Sequence, residues 1–421
     1  MATSAQTILP TLAFAGGIVI ICALGSVKDE SDQMPHPRVF QPITLRSVTA
    51  KNRILISPMC QYSAQDGVAN DWHLVHLGKF AQGGAGTVMA EATAVVAEGR
   101  ITHGDLGLWN DGQMPMMKRI ASFIRDNGAV PAIQLAHAGR KASMQRPWYG
   151  NAALTAEDFA RGDNPWKTVA ASAIPMDEGW IMPEELSAGD MPTLREAWRQ
   201  ATLRALACGF DFLEVHCAHG YLLHSFLSPL SNHRTDTYGG DRAGRMRFPL
   251  EVIETVREAW PCHLPLSVRI SSVDGVEGGI TIEDSIAFAQ EAKARGVDII
   301  DCSSGGLLGS ATAARIPRGY NFQVPYAAAI KREARVPTMA VGLILHPQQA
   351  EDILANDEAD MIAIGREVLF DPNWPLHAEL ALAGKSSEIF ESWPKQYGWW
   401  LERREPGLRR LEGPPLPFRR S

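Results

Sequence analysis

Three absences narrow the reading of this chain before any motif is considered. Its cysteines, at positions 22, 60, 208, 217, 262 and 302 of 421 residues, are scattered and include no C-x-x-C pair. That argues against a disulfide framework and against a cysteine-rich zinc or iron–sulfur site, and it favours reduced thiols in a reducing compartment such as the cytoplasm. No basic block of useful length occurs and the net charge is −7, so no nucleic-acid partner is expected. Neither G-x-G-x-x-G after an apolar run nor G-x-x-x-x-G-K-[ST] is present, so neither a Rossmann dinucleotide nor a P-loop nucleotide is expected. Long uncharged runs are also scarce. The exception is "TILPTLAFAGGIVIICALGS", residues 7–26, about long enough to cross a bilayer. No Lys or Arg precedes it, unlike a secretory signal. It reads either as an anchor with the body facing the cytoplasm, or as a processed or spurious extension before Met34.

What is present is a repeat. After residue 34 a short β-branched apolar run, a polar or Gly-bearing loop and a helical stretch recur eight times. The runs are 53–59, 87–95, 130–137, 210–218, 264–271, 297–305, 336–344 and 359–367. Runs without polar alternation imply strands buried on both faces, hence a parallel sheet covered by helices. Helical stretches such as "LREAWRQATLRALACG" and "IEDSIAFAQEAKARG" end in Gly, as helix C-termini do. Eight units imply a single closed (β/α)8 TIM barrel with its chemistry at the C-terminal strand ends. Residues 141–192, rich in Trp, Pro and Gly, read as a loop excursion after strand three. The expected layout is an extension over 1–33, a barrel over 34–405 and a tail over 406–421.

The strand ends carry the polar residues. "VGLI" and "IGRE" at strands seven and eight put Gly342, Gly365 and Arg366 where such barrels hold a phosphate, with backbone amides as donors and a guanidinium as counter-charge. Strand four ends "EVHCAHGYLLHSFLSP", gathering His216, His219 and Tyr221. Metal ligands at that spacing, satisfied core residues, and groups that grip an oxygen and deliver a proton all remain open on this pattern. No third metal ligand stands out, so no metal is expected.

Taken together, "SPMCQYSAQDG", "QLAHAGRKA", "EVHCAHGYLLHSFLSPLSNHRTDTYGG", "RMRFPLEVIETVR" and "IGREVLFDP" resemble the Old Yellow Enzyme family, and within it the thermophilic-like, xenobiotic-reductase branch, which Cys60 and Tyr62 mark. The resemblance implies FMN, reduction by NADPH or NADH, and delivery of hydride to small-molecule activated alkenes. It also allows a homo-oligomer. It assigns Gln134 to the flavin pyrimidine edge, Arg269 to the charge of the reduced flavin, and Pro58, Met59 and Ala92 to the flavin ring. Cys60 modulates the flavin, Tyr62 and Trp400 contribute to substrate binding, His216 and His219 hold the substrate oxygen, and Tyr221 donates the proton. Arg234, Asp236, Tyr238 and Arg242 in "HRTDTYGGDR" read as a structural turn. Trp393, Trp399 and Trp400 read equally as docking of the tail or as an active-site lid.

Overall fold

The computed structural model describes residues 37–309, 316–382, 390–408 and 410–411. The apolar segment 7–26 lies outside them. Among the described residues no helix is long and apolar enough to cross a membrane.

Eight parallel strands close into a barrel: β1 (Ile54–Ile56), β2 (Thr87–Ala94), β3 (Val130–Ala136), β4 (Phe212–Cys217), β5 (Leu266–Ser271), β6 (Ile299–Ser303), β7 (Thr338–Ala340) and β8 (Met361–Ile364). Each falls within one of the eight expected runs. β8 pairs with β1, which removes the sheet edge. Side chains alternate between the two faces of a strand. The outward set, including Ile54, Val88, Ile133, Val215, Val268 and Ile362, belongs to one large buried cluster with the surrounding helices. Trp198 and Trp260 in that cluster are almost fully buried.

The inward set changes character along the barrel. Near the N-terminal end it is apolar, with Leu55, Met89, Phe212, Met339 and Met361 in a second cluster. A hairpin of Ile43–Leu45 and Val48–Ala50 packs Ile43, Leu45 and Val48 against this cluster and so plugs that end. Its turn residue Arg46 donates to Asp298 at 2.7 Å. Further up, the inward positions become polar: Gln134 aligns with Glu214, Glu214 with Ser267 and His216 with Arg269, and Arg269 with Asp301.

The excursion after β3 contains a short helix, Ala156–Ala160, and a two-residue parallel pairing of Val169–Ala170 with Glu184–Glu185. Arg234 anchors it, donating to Ala171 O at 3.0 Å and Leu186 O at 2.7 Å while pairing with Asp236. Tyr238 N donates to Asp236 Oδ1 and Arg242 pairs with Asp284. The turn at 234–242 is therefore structural, as its sequence implied.

Candidate active site

The C-terminal strand ends open into a cavity of about 270 Å³. Of the residues expected there, Pro58, Met59, His219, Arg269, Gly342, Gly365 and Arg366 line it. Gly342 has φ 122°, and a Cβ there would come within 2.9 Å of Phe322, so only glycine leaves this end open.

His216 and His219 face one another. Ala218 N–H donates to His216 Nδ1 at 3.1 Å, which leaves the proton of a neutral ring on Nε2. That nitrogen lies 3.3 Å from His219 Nδ1, and His219 Nε2 lies 2.7 Å from Ser303 Oγ. Burial first, and then the Arg269 charge, hold both imidazoles well below their ordinary pKa. Both rings are therefore neutral, with the His216 Nε2–H directed at His219 Nδ1 and His219 Nε2 at Ser303 Oγ. Among the described residues no three His, Cys, Asp or Glu side chains converge as a metal-ligand set.

Tyr221 lies beside them, its ring centroid 4.8 Å from that of His216. It packs with Ile101, Ala138, Ala142 and Met144, and Cys60 and Tyr62 pack against the same cluster. Burial pushes the Tyr221 phenol and the Cys60 thiol well up, so both keep their protons at neutral pH. Tyr62 holds a left-handed φ of 50°, unusual for an aromatic residue. Ala92, on β2, is 5% exposed, and its backbone hydrogen-bonds Cys60.

Gln134 and Trp400 sit elsewhere. Gln134 lies deeper in the barrel, donating to Glu214 Oε1 at 2.8 Å. Trp400 is 68% exposed on the helix Lys395–Leu408, stacked edge-on with Trp399, and does not line the cavity. The physical reason is local: Gly398 is the buried residue of that helix, so the two tryptophans that follow it are turned to solvent. Trp393 packs on Phe390 and His377, which is the docking role.

Several residues were missed. Glu214 accepts from Gln134 and from Ser267 Oγ at 2.9 Å, and burial raises its carboxyl to about 8. Asp301 lies 3.3 Å from Arg269 Nε, and burial raises it as well. Glu214 stands two positions before His216, on the same face of the strand, and Asp301 is aligned with Arg269 on the neighbouring strand. Lys141, buried, donates to Gly306 O, and Arg140 donates to Leu307 O, so two basic side chains fasten the loop after β6.

The donor set can be tested against a flavin phosphate. The cavity is lined by Gly342, Gly365 and the Arg366 guanidinium, by Pro58 and Met59, and by Arg269. An anionic group beside Arg366 and an electron-accepting ring beside Arg269 fit that set. A barrel with this mouth is of the class that holds a phosphate-bearing ligand across its C-terminal strand ends.

Comparison with known proteins narrows the class. Residues 38–384 match the model of the NADH:flavin oxidoreductase / NADH oxidase family, and the chain belongs to that family, which includes the Old Yellow Enzymes. It is 43% identical over 362 residues to an NADPH dehydrogenase of Listeria innocua, covering 86% of this chain and 98% of the relative. The solved structure of morphinone reductase superposes with a TM-score of 0.68 at 25% identity, over 82% of this chain and 90% of that one. An old yellow enzyme homologue from Zymomonas mobilis gives 0.67 at 25%, over 86% and 99%. A 2-naphthoyl-CoA reductase gives 0.72 at 24% identity; the chain spans only 53% of it, and that likeness bears on the barrel alone. The chain is thus an NAD(P)H-dependent flavin oxidoreductase that uses FMN.

Proposed function

We propose that this enzyme reduces activated C=C bonds of small electrophiles such as enones, with NADPH or NADH as reductant. The observation that carries the reading is the neutral His216/His219 pair beside the protonated Tyr221, with His219 lining the cavity. Bound FMN supplies the hydride that the nicotinamide first gives it. The protein supplies the remainder. By exchanging their contacts with His219 Nδ1 and Ser303 Oγ, the Nε2–H groups of His216 and His219 grip the substrate carbonyl or nitro oxygen and draw electron density from the alkene, so that its β-carbon accepts hydride. Tyr221 gives its phenolic proton to the α-carbon. Arg269 places positive charge where the reduced ring becomes anionic. Gly342, Gly365 and Arg366 take the phosphate, while Pro58, Met59 and Ala92 border the ring. Cys60 tunes it, Tyr62 orients the activating oxygen, and Gln134 reaches the pyrimidine edge by exchanging its bond to Glu214. Residues 34–405 form the catalytic unit and residues 1–33 are dispensable to it.

Anaerobic NADPH tests this reading. The yellow protein should bleach and regain its colour on adding cyclohexenone. A protein that merely binds flavin does neither, and a screen across enones, maleimides and nitro compounds then ranks the acceptors.

A further inference from the structure

We infer that His224 and Asp274 are a positioning pair that sets the His219–Gly220–Tyr221 turn, and thereby the geometry of proton delivery. The inference rests on the roles proposed above for His219 and Tyr221. His224, on the short helix Leu222–Leu227, is fully buried. Its Nδ1 accepts the Gly220 amide at 2.7 Å. An amide can only donate, so Nδ1 carries no proton and the neutral ring holds its proton on Nε2. Nε2 lies 3.0 Å from Asp274 Oδ1, both side chains fully buried, although the pair lacks the alignment of a full hydrogen bond. Asp274 is itself fixed, because its Oδ2 accepts from Ser228 Oγ at 2.7 Å and from Ile280 N at 2.8 Å. A chain of contacts therefore runs from the loop after β5, through a carboxylate and an imidazole, to the one amide between His219 and Tyr221.

That amide needs holding. His219 has φ 61° and Gly220 φ 75°, and a histidine in the left-handed region persists only when its surroundings impose it. The flanking amides are tied by other means: His219 N to Ser271 Oγ at 2.9 Å and Tyr221 N to Ala218 O at 3.2 Å. An apolar side chain at 224 would fill the same volume and leave the Gly220 amide unpaired, which separates positioning from packing.

The test uses the FMN-loaded enzyme and three variants. His224→Leu should slow reoxidation by cyclohexenone about tenfold or more while changing reduction by NADPH less than about threefold, with FMN content unchanged. Hydrogen–deuterium exchange at the Gly220 amide should rise in parallel. His224→Asn, which keeps an acceptor oxygen, should recover most of both effects. Asp274→Asn should move both readouts the same way by less, and it decides the matter together with His224→Asn if the leucine variant does not fold. Equal slowing of both half-reactions in His224→Leu, or wild-type exchange and reoxidation in that variant, overturns the inference; so does wild-type behaviour of Asp274→Asn. Tyr221→Phe in the same assay separates the two levels. If it slows reoxidation selectively while His224→Leu does not, the positioning role falls and the proposed chemistry stands. If Tyr221→Phe shows no selectivity, both fall.

Discussion

Tyr221 and Glu214 show how burial sets a proton inventory for this site. The phenol is held well above its ordinary pKa, so it remains a donor throughout the neutral range. Tyr221→Phe keeps the ring and its packing against His216, and should slow flavin reoxidation by enones far more than reduction by NAD(P)H. Stopped-flow measurement of the two half-reactions checks this, and quinone acceptors, which need no positioned carbon protonation, should be affected least. Glu214 makes a prediction about stability. Burial raises its carboxyl from an ordinary 4.5 to about 8. Between those values the folded protein holds a proton that the unfolded chain has released, so the group destabilises the fold progressively as pH rises through this window. Glu214→Gln, which cannot ionise, should therefore gain on the wild type by a few kcal/mol, in order of magnitude, between about pH 5 and pH 8. Parallel unfolding curves across that range measure the difference, and a constant offset would refute the assignment.

At the scale of elements, the barrel strands were legible because both faces of their lower halves are apolar, which produces unbroken hydrophobic runs. The upper halves were legible only in part. His216, Arg269 and Arg366 stand out at run ends, whereas Glu214 and Asp301 interrupt a run and give no sign of which polar neighbour the closed sheet brings beside them. That depends on register across β3, β4, β5 and β6. The hairpin over residues 43–50 was not legible either, since its three-residue strands are too short for a periodic signal. The Gly220 amide's acceptor, four residues on, follows from a left-handed turn that no spacing rule predicts. Trp400 shows the opposite limit: a tryptophan near the end of the chain fits tail docking and an active-site lid equally in sequence, and the helix phase turns it to solvent. The β4 and β6 turns interlock through glycine, because a Cβ on Gly220 would fall 2.5 Å from Gly306 O, and one on Gly306 would fall 2.8 Å from His219 Cα. Both glycines also have positive φ. Gly306→Ala should therefore cost on the order of 1–3 kcal/mol and displace His219, to be seen as a lower melting temperature together with weaker enone binding.

For the molecule as a whole, the Gly342, Gly365 and Arg366 set at the strand ends predicts one FMN per chain. Protein deleted through Gln33 should purify equally yellow and turn over at the full rate, as flavin extraction and steady-state assay would show. Loss of flavin-loaded protein in that deletion would mean that the extension belongs to the fold. The plugged floor of the barrel has a kinetic consequence. With Ile43, Leu45 and Val48 sealing the N-terminal end, nicotinamide and alkene have no opposite doors and must take turns at the same opening. Initial rates measured against one at fixed levels of the other should then give parallel lines in double-reciprocal plots, and each should inhibit competitively against its successor at high concentration. Intersecting lines would mean that both occupy the protein together, and that a second way in exists.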